Sequence, residues 1–150
     1  MDYALKGKQY HEVTFEVERD RVLQFADAIG EDSPVFRDSD AAAASGYEEQ
    51  LAPPTFVTVV QILTSGQAVL DPELGLNYAM VVHGEQEYEY RRPVKVGDVL
   101  TAVPRIADIY AKGPNEFLLL EAEIKDQAGE VVCIARSTLL SRGTAERGDR

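Results

Sequence analysis

The chain contains a single cysteine, Cys133, and only two histidines, His11 and His83, among its 150 residues. One cysteine cannot close an intrachain disulfide or build a cysteine-rich metal site. Two histidines so far apart in sequence offer no metal-ligand spacing, so no metal is expected. Positive charge is scarce as well: 15 lysines and arginines face 26 aspartates and glutamates, for a formal charge of -11. A nucleic-acid footprint needs a basic face, and an anionic membrane surface attracts basic segments; neither is an expected partner. Long apolar runs are missing too. Phe56–Leu70 is the longest, and it is too short and too polar to span a bilayer. The first residues, MDYALKGKQYHEV, lack the apolar stretch of a secretory signal, which makes the cytoplasm the expected compartment.

What is present suits one globular domain spanning residues 1–150, with a core over about 10–141 and a flexible polar tail from Arg142. Hydrophobic residues make up 45% of the chain, an ordinary core fraction. Cys133, flanked by Val131, Val132 and Ile134, reads as a buried strand residue rather than a nucleophile.

Glu12–Val17 alternates apolar and polar residues and predicts a short half-buried strand. The period then changes. Val22, Phe25, Ala26 and Ile29 fall at helical spacing and Gly30 is placed to end that helix. Ser39–Ser45 reads as a short alanine-rich helix, with Ser39 as candidate N-cap and Gly46 as its end. After Pro53-Pro54 the stretch Thr55–Leu70 predicts a helix whose main stripe is Phe56, Val59, Val60, Leu63 and Leu70. Val57, Ile62 and Val69 lie off that stripe, and a helix apolar on several sides is a buried one.

Asp71–Leu76 is a loop, and four long strands follow: Val81–Tyr90, Val99–Tyr110, Phe117–Lys125 and Val131–Leu140. The tight turns Lys112–Asn115 and Gln127–Gly129 imply antiparallel hairpins. An antiparallel sheet with one apolar face must cover it, and the long apolar helix is the available cover. The expected class is therefore α+β, a hot-dog fold in which an antiparallel sheet wraps a central helix. A generic α+β sandwich is the alternative.

Three segments carry a family resemblance. AIGEDSPVFRD, Ala28–Asp38, resembles the signature of MaoC-like (R)-specific enoyl-thioester hydratases, which usually reads glycine-aspartate-x-asparagine-proline-x-histidine. HGEQEYEYRRPVKVGDVL, His83–Leu100, is similar to the corresponding pattern of N-terminal MaoC-like dehydratase domains. LAPPTF, Leu51–Phe56, completes the set. Together they look especially like the non-catalytic subunits of (3R)-hydroxyacyl-thioester dehydratases, over nearly the whole chain.

Hydration of an enoyl thioester needs a base for water, an acid for Cα and donors for the thioester oxygen. Carried over by position, the family aspartate falls on Glu31, the asparagine on Ser33, the proline on Pro34 and the histidine on Phe36. Phenylalanine cannot move a proton. The resemblance implies an oxyanion glycine at Pro54, and proline has no N–H to donate. Glu31 and Asp32 read as a solvated turn or, alternatively, as an acidic catalytic pair. Phe36 reads as core filling, and Pro53-Pro54 as the lead into the helix.

His83 is the one histidine inside a family segment. An unbroken strand puts it on the face of Glu85, Glu87 and Glu89, opposite Gln86, Tyr88 and Tyr90. It reads as a structural group or a catalyst. Arg91, Arg92 and Lys95 form the one compact basic group, and they read as sheet-edge charge or as contacts for the phosphates of coenzyme A or phosphopantetheine. The resemblance implies an acyl tunnel shared between two hot-dog domains, walled here by Phe56, Val59, Val60 and Leu63. It also implies pairing with a catalytic MaoC-like subunit, or a homodimer when alone. The ligand is then an acyl thioester, with no further cofactor. The rival expectations are a self-sufficient hydratase or thioesterase using Glu31, Asp32 or His83, and a non-enzymatic acyl-CoA-binding homodimer.

Overall fold

The structure is a computed structural model that describes residues 1–145. Five strands form one antiparallel sheet: β1 (Val13–Glu16), β2 (Val81–Tyr90), β3 (Val99–Lys112), β4 (Asn115–Lys125) and β5 (Val131–Ser141). Their spatial order is β1-β3-β4-β5-β2. Three helices accompany it: α1 (Arg19–Ile29), α2 (Ser39–Ala44) and α3 (Thr58–Val69). The sheet curves about α3, which packs chiefly on β1, β3 and β4. This is the α+β hot-dog arrangement expected from the order of periodicities. Among the described residues no helix is long and apolar enough to cross a membrane.

The turns behave as their chemistry requires. Gly30 ends α1 in the left-handed conformation, φ 69°, and its N–H reaches back to the Ala26 and Asp27 carbonyls. In the β3–β4 hairpin Lys112 pairs with Asn115 across Gly113-Pro114. Between β4 and β5 the Asp126 carboxylate accepts the N–H groups of Ala128 and Glu130 at 2.9 and 3.1 Å. Leu118, Leu120, Ala122 and Ile124 share the buried face of β4, as their alternation predicts. Cys133 is fully buried in the main core. Phe56 anchors that core, meeting Phe15 and Phe25 edge to face at centroid distances of 6.0 and 5.4 Å. On the outer face of the sheet Arg136 joins Glu87, Glu89 and Glu121.

Several expectations need correction. The N-cap of α2 is Asp38, whose side chain accepts the Ala41 N–H, and not Ser39; a carboxylate one residue earlier reaches the free amide. Regular α3 begins at Thr58, not Thr55. After Pro53-Pro54 the chain first makes tight turns, with Phe56 N–H bonded to the Pro53 carbonyl and Thr58 N–H to that of Thr55. The buried side of α3 carries Val60, Gln61, Thr64 and Ala68, whereas Leu63 and Leu70 of the expected stripe are exposed together with Ile62. The helix thus has one face on the sheet and an open flank, and two polar residues occupy its buried side. Residues ahead of Tyr10 also join the body: Met1 and Leu5 pack on a second core cluster around Leu74 and Ile106. Arg142 and Ala145 are tied by backbone bonds to Met80 and Pro114; residues 146–150 of the expected flexible tail lie outside the described residues.

Candidate functional site

Two cavities flank the seam between α3 and β2. The first, the corner, has a volume of about 440 Å³. It brings together Phe36, Pro54, Arg91 and Arg92, residues singled out in three separate segments, with Tyr47, Leu51 and Tyr90. The second, the cleft, has about 460 Å³ and lies between α3 and strands β2 and β5. Its α3 wall is Thr58, Gln61, Ile62, Ser65, Gly66 and Val69; its sheet wall includes Val81, His83, Gln86, Ser137 and Leu139.

No proton carrier of the implied kind stands in the corner. Phe36 ends a short turn, Pro34–Phe36, and its ring lines the cavity. Glu31 lines neither cavity; its carboxylate accepts the Ser33 N–H at 2.8 Å, a turn-closing contact. Asp32 is exposed and ion-paired to Arg37 at 3.6 Å. Pro54 presents a carbonyl, and the Tyr90 hydroxyl donates to it at 2.5 Å.

The basic group is engaged inside the chain. Arg92 grips the buried Asp98 with two hydrogen bonds, 2.8 and 3.0 Å, and reaches Asp126 at 2.9 Å. Asp98 also accepts the Lys95 N–H, so the Gly97-Asp98 turn holds Arg92 in place. Lys95 pairs with Glu48 at 2.6 Å and lies outside the corner. Arg91 pairs with Glu89 at 2.8 Å with both side chains well exposed; such a pair is weak and open to exchange. Of the three, Arg91 is the most exposed.

His83 does not share the face of Glu85, Glu87 and Glu89. The β2–β5 register shifts between His83, opposite Leu139, and Glu85, opposite Thr138. The extra residue, Gly84, makes a bulge that reverses the alternation, so His83 and Gln86 both line the cleft. The four expected tunnel residues are placed elsewhere: Phe56 and Val60 are sealed in the core, Val59 packs against it and Leu63 is exposed. The cleft-facing stripe of α3 lies one helical step round from them. His11 is exposed, outside corner and cleft, and the described residues contain no group of three or more potential metal ligands.

Two struts tie β2 to the start of α3 and to the segment before it. Tyr90 bonds to Pro54 on the corner side, and next to it Tyr88 and Thr58 share a hydrogen bond of 2.6 Å. The corner and the cleft have no lining residue in common. Burial holds both phenols above the usual tyrosine range, so they remain protonated at neutral pH. These struts, and the polar pair Gln61 and Ser137 in the cleft, escaped the sequence reading. The available signals were tyrosines two apart on a strand and a glutamine inside an apolar helix.

Comparison with known proteins gives a consistent result. The model of the family "FAS1-like, dehydratase domain region" matches residues 4–135. A protein of Saccharopolyspora erythraea named UPF0336 protein is 44% identical over 147 residues, 97% of this chain and 94% of that one. The C-terminally truncated HadBC (3R-hydroxyacyl-ACP dehydratase) complex from Mycobacterium tuberculosis contains a chain that superposes with a TM-score of 0.82. It is 26% identical, and the match covers 91% of this chain and 96% of that one. A MaoC-like dehydratase superposes with a TM-score of 0.86 at 24% identity; the match covers 93% of this chain and 42% of that longer one.

Proposed function

This chain belongs to the FAS1-like dehydratase domain region family, and we propose that it is a non-catalytic subunit that walls an acyl site for a catalytic MaoC-like partner. The partner carries the aspartate and histidine. The complex interconverts (3R)-3-hydroxyacyl and trans-2-enoyl thioesters, and this chain supplies the cleft between α3 and β2. The corner cavity carries this assignment: Phe36 and Pro54 stand where the resemblance implies a proton carrier and an amide donor. The separateness of corner and cleft adds to it, since they share no lining residue. An acyl chain in the cleft then comes from the partner's thioester rather than from this chain's own corner.

Pairing has a ready surface. β2 is ten residues long and has β5 on one side only, and an unpaired edge of that length invites another strand. Ile62 and Tyr78 expose apolar surface beside it. The likeness to a chain of the HadBC complex supports a two-subunit arrangement. Alone, the chain pairs with itself through the same edge. Arg91 is the contact for a coenzyme A or phosphopantetheine phosphate. A self-sufficient enzyme gains no support, because Glu31 and Asp32 line neither cavity while His83 faces the cleft.

Co-expression with a MaoC-like subunit that retains aspartate-x4-histidine, followed by a crotonyl-CoA hydration assay, tests the reading. The expected result is a stable complex that is active where this chain alone is not. A chain that hydrates crotonyl-CoA unaided at an ordinary enzymatic rate overturns it. A chain that binds acyl-CoA as a homodimer and ignores every catalytic partner leaves only the binding role.

A further inference from the structure

The cleft is not a plain hydrocarbon slot. Gln61, from α3, and Ser137, from β5, face it from opposite walls, and each is only 5% exposed. Gln61 Oε1 and Ser137 Oγ have no hydrogen-bond partner among the described residues. Three neighbouring polar groups are satisfied. Thr58 bonds to Tyr88, Thr64 donates to the Gln61 carbonyl at 2.8 Å, and the Gln86 amide reaches the Arg136 carbonyl at 2.7 Å. A third unpaired hydroxyl, Ser141, lies outside the cleft. The unmet pair lines the same cleft as the apolar residues Ile62, Val69, Val81 and Leu139.

A saturated alkyl chain in the cleft leaves these two buried oxygens without a partner, which is unfavourable. A hydroxyl on the chain that reaches them supplies what they lack, because it can donate one hydrogen bond and accept another whichever way the Gln61 amide is turned. Resting on the assignment of this cleft as the acyl wall, we propose that it selects acyl thioesters bearing a hydroxyl group along the chain, beyond the reacting carbons. A site built to hydrogen-bond an oxygen discriminates against the analogue that lacks it more strongly than an apolar pocket discriminates between chain lengths.

Calorimetric titration of the two-subunit complex with a saturated medium-chain acyl-CoA and its monohydroxy isomers tests this. The hydroxyl is moved one carbon at a time from the fifth carbon outward. One position, or two adjacent ones, is expected to bind about tenfold more tightly than the unsubstituted chain. Gln61→Met and Ser137→Ala should each flatten that preference while leaving the unsubstituted chain bound as before or more tightly. Ser137→Ala reads the effect alone if Gln61→Met does not fold. An unsubstituted chain that binds as well as the best isomer, or a preference that survives both substitutions, overturns the proposal and leaves the acyl assignment standing. Tighter binding of the unsubstituted chain to both variants, with no positional preference in the wild type, means that bound water alone serves the pair and also overturns it. If no acyl-CoA binds in any form, the acyl assignment falls and this inference with it.

Discussion

His83 and Gln86 lie three residues apart on β2 yet face the same cleft. The bulge at Gly84 makes this possible, and the strand above it keeps regular alternation down to Tyr90. A Cβ on residue 84 would stand 3.2 Å from the Thr138 carbonyl oxygen, too close to sit without movement of the β5 backbone. Gly84→Ala should therefore cost about 1 kcal/mol, readable as a lower urea midpoint at unchanged slope. A variant as stable as the wild type would show that the bulge does not depend on glycine.

The struts should behave as structure, not chemistry. Tyr90→Phe removes the bond to the Pro54 carbonyl, and Tyr88→Phe the one to Thr58. Each is expected to lower stability by about 1 kcal/mol and to leave the hydratase rate of the two-subunit complex within about threefold. A collapse of the rate in Tyr90→Phe would mean that the corner takes part in the reaction.

Without its partner the chain should hydrate crotonyl-CoA at background. General acid–base action contributes about 10²–10⁴-fold and an oxyanion donor about 10²–10³-fold, and Phe36 and Pro54 supply neither. Glu31→Gln and His83→Ala should change nothing in the same assay. If either abolishes a measurable wild-type rate, the site has been rebuilt around that residue. Restoring activity in the isolated chain requires at least Phe36→His, Pro54→Gly and Glu31→Asp together.

The Arg92 clasp gives a stability prediction with a pH dependence. Asp98 is almost fully buried against a guanidinium that is one-third exposed. Arg92→Met should cost about 3 kcal/mol, the low end for breaking such a pair, because the carboxylate is left buried. Arg92 holds Asp126 below its ordinary value of 3.8; Lys8 and Lys6 do the same for Asp71 and Asp108. A carboxylate whose pKa is lower folded than unfolded stabilises the fold above the unfolded value. It loses that contribution as pH falls through the folded one. Thermal midpoints should therefore decline below about pH 4, and the decline should be shallower in Arg92→Met, which no longer depresses Asp126. Equal acid slopes would count against the clasp.

Cys133 should be inert in the folded protein. Burial pushes its thiol up to about 11, so at pH 8 its thiolate fraction is about two orders of magnitude below that of a free cysteine. Iodoacetamide labelling should be slow in buffer and become ordinary in urea. Fast labelling of the native protein would place Cys133 at a surface.

Local pattern alone determined much of this molecule. The strand alternations, the Gly30 stop, the two hairpin turns and the long apolar helix are each decided by neighbours within one or two turns of chain, so their periods can be read directly. The placing of Phe36 at the histidine position of the signature that AIGEDSPVFRD resembles is an expectation drawn from the same local reading. Tertiary structure decided which way those elements turn. The sheet chose Val60, Gln61, Thr64 and Ala68 as the buried side of α3 and left Leu63 exposed. Gly84 reversed the parity of β2 through a register shift against β5, a pairing between segments some fifty residues apart. Arg92 looked like a free cation in sequence and is held by Asp98 and Asp126. Gln61 and Ser137 came to line one cleft only when helix and sheet closed on each other. Periodicity reports the spacing along one element, whereas these outcomes depend on contacts between elements, which no local pattern encodes.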